Sequence, residues 1–343
     1  MRKLVQGARL LLSALSMLLV LSCLQAQDVL DQVDETYPNI TNIEIEGSFC
    51  SVDVQGGSSS DVHFTGEIMA SRSYDIKIRH NVSGNTLRVW IDRPNSIRGN
   101  VKGKLTFKVP ENTNLNVDNS SGSVNVANIG EAEVKLKASS GSIKAQSINS
   151  SLVIGASSGS LSASDINGDV KANTSSGSQR INGVKGNLTT KASSGSIKVE
   201  GVGGDASVTT SSGSQSIQMI EGNVWSKVTS GSLNIAGVTG DVKAASSSGG
   251  IRLDRVTGAV NLKSSSGSQK GSNIKLTGTS YFEASSGSVS MDLLNEKDEL
   301  SFSLSASSGG LSAKGDKGRK KMIIERGPIK IVGSTSSGSQ SYR

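Results

Sequence analysis

The chain has 343 residues, of which 40 are glycine, 4 are proline and only 3% are aromatic. So few aromatic residues exclude a globule with a wide core, and Val and Ile at fixed positions exclude a disordered chain. The formal net charge of +7 falls to +4 (7 − 3) without the three basic residues of the leader described next, which is too modest to predict nucleic-acid binding.

Residues 1–26 have the pattern of a secretory signal peptide, because basic residues precede an apolar stretch at 10–21 that is too short to span a bilayer. Cleavage after Ala26 would leave a mature chain without a transmembrane span. The residues before Cys23 form an imperfect lipobox, so a lipid anchor at Cys23 is the alternative. Both interpretations predict export, to the periplasm, the outer membrane or the extracellular space.

Residues 27–37 are assigned to an N-terminal linker. Residues 38–119 alternate apolar and polar side chains without a fixed spacing, and we predict that they form irregular first coils acting as a cap. Cys50 would be the only cysteine of a cleaved chain, so no internal disulfide is expected. It shares strand parity with Val52, which predicts a small buried hydrophobe rather than a reactive thiol.

From residue 120 onwards a Ser-Gly unit recurs with a fixed period, and its glycine appears at seven consecutive steps of 18 residues between Gly141 and Gly267. We take 120–287 as a regular repeat and 288–343, with its longer steps, as irregular coils forming a C-terminal cap. A second glycine column lies nine residues after the first and divides each coil into two halves. Its members are Gly168, Gly186, Gly204, Gly222, Gly240 and Gly258.

Within each half-coil, apolar residues stand two and four positions after the glycine, as Ile197 and Val199 do after Gly195. This is the alternation of a β-strand, bounded by corners at which glycine supplies a positive φ or leaves room for the neighbouring backbone. Strands this short bury little alone, so each coil must stack on the next. The sequence predicts an all-β fold, a single-stranded parallel β-helix (β-solenoid) with 18-residue coils.

The opening 42–47, the segment 105–110 and the passage from Leu115 into Ser120-Ser121-Gly122 resemble the bacterial putative-adhesin β-solenoid family, which is related to auto-transporter adhesin head domains. The resemblance extends over about 38–343. It implies a right-handed β-helix in an envelope protein and identifies no active site. The chain ends without the aromatic-rich, barrel-like segment of auto-transporters, which argues against self-translocation.

We find no catalytic constellation, and we expect neither an enzyme nor a bound cofactor or metal. His63 and His80 have no triad or metal spacing and are interpreted as solvated strand residues. A polysaccharide-acting β-helix enzyme would need a cleft built by long loops, and the coils have almost no insertions. Gly-Asp pairs at Asp169, Asp205 and Asp241 invite comparison with calcium-binding rolls, but they occur in every other coil, so turn formation is the preferred reading.

One face of the second half-coil carries most of the candidate binding residues. Its two columns, three and five residues after the glycine, hold Lys171, Lys191, Trp225, Lys227, Lys243 and Lys263. Dispersed lysines are explained by charge spacing that deters aggregation. The functional alternative is a shallow cationic face with Trp225 as a stacking platform for a sugar or an anionic polymer.

Glutamines interrupt a column that elsewhere holds Ile or Leu, at Gln179, Gln215 and Gln269. We expect their amides to reach solvent at a strand end.

The repeat predicts an exported structural or interaction protein of the cell envelope, an adhesin that binds envelope or host glycans, anionic polymers or a protein partner through many weak contacts. The alternative from another class is an envelope-stress sensor whose solenoid binds a membrane-active peptide or a partner protein.

Overall fold

The computed structural model describes residues 28–130 and 133–343. The predicted signal peptide, its cleavage at Ala26 and the alternative lipid anchor at Cys23 lie outside these residues. Within them the protein has 31 β-strands and one 3₁₀ helix at Lys297–Glu299. No helix in these two ranges is long and apolar enough to cross a membrane. The predicted all-β solenoid with stacked parallel coils about 18 residues apart is confirmed.

The first strands form the N-terminal end of the solenoid. They are β1 (Asp28–Tyr37), β2 (Asn42–Ser48), β3 (Ser51–Gly57), β4 (Val62–Ala70), β5 (Lys77–Ser83), β6 (Thr86–Asp92) and β7 (Val101–Pro110).

The regular coils follow, each made of two strands joined by a Ser-Gly corner. Their strands are β8 (Asn114–Ser121), β9 (Val124–Ile129), β10 (Val134–Ser140), β11 (Ile143–Ile148), β12 (Leu152–Ser158), β13 (Leu161–Ile166), β14 (Val170–Ser176), β15 (Gln179–Val184), β16 (Leu188–Ser194), β17 (Ile197–Val202), β18 (Ala206–Ser212), β19 (Gln215–Ile220), β20 (Val224–Ser230), β21 (Leu233–Val238), β22 (Val242–Ser248), β23 (Ile251–Thr257), β24 (Val260–Ser266), β25 (Gln269–Lys275), β26 (Ser280–Ala284) and β27 (Val289–Leu293).

The last strands form the other end. They are β28 (Leu300–Ala313), β29 (Asp316–Ile324), β30 (Ile329–Ser337) and β31 (Gln340–Tyr342).

The strands stack into two faces around one narrow core. Sheet I runs β5–β6–β2–β8, continues through the even-numbered strands to β26, and ends with β30 and the first part of β28. Sheet II runs β1–β4–β7–β3–β9, continues through the odd-numbered strands to β27, and ends with β31 and the last part of β28. The long strand β28 therefore belongs to both sheets.

Equivalent residues of successive coils lie directly above one another, as Leu188, Ala206 and Val224 do in sheet I. In β16 the buried residues are Leu188, Thr190 and Ala192, and the residues between them point to solvent. Each fully buried Val, Ile or Leu contributes about 1.5–3 kcal/mol relative to an exposed one. Stacking thus gives every coil two covered sides, which its own short strands could not provide.

Glycine is required in the two columns for different reasons. At the eight Ser-Gly corners from Gly122 to Gly249, φ lies between 101° and 153°, a region that side-chain-bearing residues rarely adopt. A Cβ at Gly195 would also lie 2.1 Å from the carbonyl oxygen of Gly177. The second column has no positive φ, but a Cβ at Gly204 would lie 2.8 Å from the carbonyl oxygen of Gly186.

A third corner was missed by the sequence reasoning. Six residues after each of the nine Ser-Gly glycines from Gly122 to Gly267, the chain adopts a left-handed conformation with φ between 50° and 73°, and the following residue is buried. Glycine fills only three of these nine positions, so no glycine column marks the corner. The positions are Asn128, Ser147, Asp165, Gly183, Gly201, Met219, Gly237, Arg255 and Asn273.

The expectation that the column glutamines reach solvent is wrong, since Gln179, Gln215 and Gln269 are at most 2% exposed. Each crosses the core from sheet II and donates to a main-chain carbonyl of sheet I in the next coil. The amide nitrogen of Gln215 lies 2.7 Å from the carbonyl oxygen of Lys227. The glutamines are tolerated because this inter-sheet bond replaces the water that their amides lose.

Gln179 and Gln215 are each bonded to two hydroxyl side chains across the core, and Gln269 is bonded to one, that of Ser264. Gln215 donates to Thr210 Oγ1 at 3.1 Å and accepts from Ser226 Oγ at 2.6 Å. Gln179 makes the same bonds with Thr174 and Thr190. We call these cross-core bridges the glutamine rungs.

Two predictions about the N-terminal end, a linker at its start and a cap made of coils alone, are wrong. Residues 28–37 are not a linker but form β1, antiparallel to β4, with Val33 opposite Gly66. A register shift between Val29 and Asp31 breaks the alternation of buried residues in β1, which disguised the strand in the sequence. The second correction is that β1, β4 and β5 pair antiparallel to their neighbours, so the cap is not made of coils alone.

The core of this cap is wider than that of the regular coils. Phe64 and Phe107 stack with ring centroids 4.5 Å apart. Cys50 is fully buried, as predicted, and burial raises the pKa of its thiol to about 12. Its predicted role as a buried hydrophobe is confirmed, because the reactive thiolate is disfavoured.

At both ends the coils are not stacked in chain order. The first coil, β2 with β3, lies between the later strands β6 and β7 on one side and β8 and β9 on the other. The last coil, β30 with β31, is inserted between β26 and β27 on one side and the earlier strand β28 on the other. Beyond them, β29 covers β28 as the antiparallel arm of a hairpin.

Candidate functional site

A ladder of Asp and Asn side chains runs along the corner that leads into sheet I. Each Oδ1 accepts the main-chain N–H of the equivalent residue in the following coil, at 2.7 Å between Asp169 and Asn187 and 3.0 Å between Asn187 and Asp205. The ladder ends where Asp241 accepts the N–H of Ala259 at 2.8 Å. Its members are Asp169, Asn187, Asp205, Asn223 and Asp241, and we call them the Asx ladder.

The alternation of Asp and Asn has an electrostatic cause. Neighbouring coils are roughly 5 Å apart, so two adjacent carboxylates would repel, and the alternation spaces them at roughly 10 Å. Each Asn amide donates to the preceding Asp, as Asn223 Nδ2 does to Asp205 Oδ1 at 3.1 Å. Carboxylates so far apart cannot share a calcium ion, whose oxygen ligands lie at about 2.3–2.6 Å. The geometry favours the turn-forming interpretation of these residues.

The outer face of sheet I lies beside this ladder and carries the predicted lysines and Trp225. The first outward column reads Lys171, Thr189, Ser207, Trp225, Lys243, Asn261 and Tyr281. The second reads Asn173, Lys191, Thr209, Lys227, Ala245, Lys263 and Glu283. All six predicted residues are exposed on one face.

A groove of about 660 Å³ lies between the Asx ladder and the first column. Its aromatic side chains are Trp225, 42% exposed, and Tyr281, 47% exposed. They stand three coils apart in the same column, which places them roughly 14 Å from each other. Asp205 and Asp241 line one side, and Lys243 and Asn261 lie between the two rings. We call this surface the aromatic groove.

The chemistry of the aromatic groove is mixed rather than cationic. Its charged lining consists of two carboxylates, Asp205 and Asp241, and one ammonium, Lys243. The Oδ1 of each carboxylate is held by the ladder, and within the described residues its Oδ2 has no hydrogen-bond partner. Two separated aromatic faces flanked by acceptors and a few donors suit a long ligand that has both apolar faces and hydroxyl groups.

A known protein family matches the solenoid over nearly all of its described residues. The family model described as Toastrack DUF4097 matches residues 40–221 and 202–338. The chain belongs to this family. The resemblance to the putative-adhesin solenoids is confirmed at the level of the family, and the coils described above are Toastrack coils.

Several solved structures resemble this Toastrack chain at low identity. A putative adhesin from Parabacteroides merdae is 15% identical, with 76% of this chain and 96% of that one covered and a TM-score of 0.26. A putative adhesin from Bacteroides fragilis is 12% identical, with 91% and 97% covered and a TM-score of 0.25. A putative cell adhesion protein from Clostridium sporogenes is 11% identical, with 91% and 98% covered and a TM-score of 0.19. No curated protein matches the chain.

The aromatic groove contains only two of the six predicted site residues, Trp225 and Lys243. The remaining four lysines lie on the same face but outside the groove. Lys263 is engaged by Glu283, whose Oε1 lies 3.0 Å from its Nζ. Lys191 and Lys227 stand in the second column, where no aromatic side chain accompanies them.

Sequence reasoning missed Tyr281 and the Asx ladder as parts of the groove. Tyr281 follows Asn261 by 20 residues rather than 18, because this coil is two residues longer. Counting three residues on from Gly278 would have placed Tyr281 in the column of Trp225. The ladder was visible as the Asp/Asn column, but its proximity to Trp225 depends on how the corner turns.

The two histidines support the N-terminal cap. His63 Nδ1 lies 3.2 Å from Thr36 Oγ1, and His80 Nδ1 lies 2.6 Å from the hydroxyl of Tyr37. Both therefore contact β1, the outermost strand of sheet II. Within the described residues no group of three or more His, Cys, Asp or Glu side chains could hold a metal ion.

A second groove, of about 1040 Å³, follows the left-handed corner. Gly183, Gly201 and Gly237 leave bare backbone along it, and Met219 and Leu294 project from it with 54% and 58% exposure. It has no ordered arrangement of polar groups comparable to the Asx ladder.

Proposed function

We propose that this Toastrack protein is an exported, non-catalytic binding protein of the cell envelope that holds an extended, hydroxyl-rich polymer such as a glycan in the aromatic groove. The observation that carries the proposal is the placement of Trp225 and Tyr281 in one column, exposed and roughly 14 Å apart. A ligand that contacts both rings must contain several linked units.

Sugar rings suit this surface because they have apolar faces that stack on aromatic rings and hydroxyl rims that bond to Asp, Asn and Lys. Asp205 and Asp241 disfavour a polyanion in the groove itself. The groove runs along the solenoid axis across six successive coils, so binding strength comes from repeated weak contacts. This supports an adhesin-like role rather than catalysis.

The test measures binding of soluble neutral polysaccharides and of peptidoglycan fragments, first on a glycan array and then by calorimetry with the strongest binder. Trp225→Ala and Tyr281→Ala should each weaken binding about tenfold, because a stacked aromatic anchor contributes about 1.4 kcal/mol or more. Affinity should rise with oligomer length until both rings are covered.

The matched control is Lys191→Ala with Lys227→Ala, in the second column outside the groove. These changes should leave neutral-glycan affinity unchanged. The opposite result, in which the lysine variants lose binding to an anionic polymer and the aromatic variants do not, would move the site to the lysine columns. Absence of binding to every polymer tested would overturn the proposal.

A further inference from the structure

The two ends of sheet II carry opposite charge on their outermost strands. The N-terminal edge strand β1 contains four acidic residues and no basic residue, a charge of −4. The C-terminal edge strand β29 contains four basic residues and one acidic residue, a charge of +3 (4 − 1). The acidic residues are Asp28, Asp31, Asp34 and Glu35, and the basic ones are Lys317, Arg319, Lys320 and Lys321.

Both strands have an unpaired edge. Within the described residues β1 pairs only with β4, and β29 pairs only with β28. Each therefore presents a row of main-chain N–H and C=O groups that a further strand could bond. Apolar side chains accompany them, since Val29 in β1 is 53% exposed and Ile323 in β29 is 57% exposed.

The basic residues near the N-terminal end and the acidic residue of β29 form ion pairs within the chain. Lys77 of the neighbouring strand β5 lies 3.5 Å from Asp31, and Arg79 lies 3.3 Å from Asp92. At the other end, Asp316 is held by Arg326 at 2.8 Å and also pairs with Lys297. The charged side chains that remain free to meet another molecule are mainly acidic at the N-terminal end and mainly basic at the C-terminal end.

Edge charges are usually explained as protection against aggregation. That explanation suits ends of the same sign, because such ends repel each other between molecules. Opposite ends attract instead. They cannot neutralise each other within one molecule, because the strand order of sheet II separates β1 from β29 by roughly 75 Å at about 4.8 Å per strand. Screening at 0.1 M salt acts over about 10 Å.

The directions of β1 and β29 also suit pairing between two copies. β1 runs in the direction of the coils, because it is antiparallel to β4, which is antiparallel to β7, which is parallel to β3. β29 runs against the coils, because it is antiparallel to β28. Residues 316–319 of β29 pair with the part of β28 that belongs to sheet II. Two copies placed end to end along one axis would therefore join this part of β29 in one copy to β1 of the next as an antiparallel pair, whose hydrogen bonds are straight.

We propose that this protein associates head to tail with further copies of itself through β1 and β29, continuing the solenoid from one molecule into the next. The partner is a second copy of the chain. The association extends the outer face of sheet I without any change in the coils, and it does not depend on what the aromatic groove binds.

The test follows the assembly state of the purified protein by sedimentation velocity and negative-stain microscopy over a concentration series. At low ionic strength of about 0.01 M, where screening acts over about 30 Å, linear oligomers should grow with concentration. Their axial repeat should be roughly 80 Å, because each molecule adds the 17 strands of sheet II, β29 included, at about 4.8 Å per strand. At about 1 M salt, where screening acts over about 3 Å, they should dissociate.

Charge-reversal variants identify the interface. Asp28→Lys with Asp34→Lys and Glu35→Lys changes β1 from −4 to +2 (−4 + 6), so that both ends are basic. Lys317→Glu with Arg319→Glu changes β29 from +3 to −1 (3 − 4), so that both ends are acidic. Each variant alone should associate about tenfold more weakly or worse, because like charges now meet across the interface. An equimolar mixture of the two should associate again, since every junction then pairs opposite ends, and this recovery also shows that both variants are folded.

The matched control is Lys137→Glu with Lys144→Glu, which changes the net charge as much as the β29 variant but on the exposed sides of regular coils. It should associate like the unchanged protein. A monomer at every concentration and salt level would overturn the proposal, as would a β29 variant that associates normally or a mixture that fails to recover.

Discussion

The regular coils and the two ends of this Toastrack solenoid use the same alternating strands but differ in their interiors and in their order. From β8 to β27 the core holds mostly Val, Ile, Leu and Ala, and from β10 onwards each coil stacks on the one before it in the chain. The ends hold wide aromatic contacts, Phe64 on Phe107 and Tyr342 against Phe302, and there the stacking order departs from chain order. The difference teaches that an interior coil is stabilised by its neighbours, whereas an end coil must supply its own core.

The largest expected effect tests the aromatic core of the C-terminal end. Tyr342 is fully buried and packs edge-on against Phe282 at 5.5 Å between ring centroids. Tyr342→Ala should lower the free energy of unfolding by about 3–5 kcal/mol, the usual loss for a buried aromatic. Urea unfolding followed by circular dichroism measures it.

The control for this prediction is the same change at an exposed aromatic, Tyr281→Ala, which should alter stability by less than about 0.5 kcal/mol. Similar losses at the two positions would show that the C-terminal core is not what holds this end together.

The next effect tests the backbone geometry of the regular coils. Gly195→Ala places a Cβ 2.1 Å from the carbonyl oxygen of Gly177 at a φ of 121°. The strain should cost about 2–4 kcal/mol, and hydrogen exchange should rise first in the coils on either side, because repeat units are stabilised by their neighbours.

Gly310→Ala, in the C-terminal hairpin, provides the comparison. A Cβ there meets nothing within 4 Å, so stability should stay within about 0.5 kcal/mol. Equal effects at Gly195 and Gly310 would contradict the argument that the Ser-Gly corner requires glycine.

The smallest effect compares two glutamine rungs. Gln215 has every polar atom bonded across the core, whereas the Oε1 of Gln269 is buried without a partner because Phe282 stands where the other rungs have a hydroxyl. Gln215→Leu should therefore cost about 2 kcal/mol, and Gln269→Leu about 1 kcal/mol less, by urea unfolding. An equal loss for both variants would mean that the hydroxyl partners contribute nothing.

The sequence was sufficient to predict the coils, because an 18-residue period with inward columns leaves one way to bury the apolar residues. It did not predict the order in which the strands at the two ends stack. Alternation in β30 shows which of its side chains face the core, but not which strands lie beside it. The glutamine rungs could have been predicted from the sequence. A Thr or Ser stands five residues before Gln179, Gln215 and Gln269, and this recurrence marks a contact across the Ser-Gly corner.

The candidate site was predicted in part. Trp225 was found because it is the one aromatic residue between 111 and 280, while Tyr281 lies just past that window, in a lengthened coil. The Asx ladder was assigned to turns, which is what its hydrogen bonds support. Its position beside Trp225 could not be read from the sequence, because it depends on how two columns meet at a folded corner.

The inserted last coil has a consequence for how the molecule is completed. β28 precedes β30 and β31 in the chain but lies beyond them in the stack, so one coil separates it from β26 and β27, and that coil comes from the later strands β30 and β31. A chain broken before Ile329 would expose the edge of β26 and β27 and the facing edge of β28, in addition to the edge of β29. The coil of β30 and β31 thus connects the hairpin of β28 and β29 to the rest of the solenoid, and its loss would leave unpaired both strand edges that it covers.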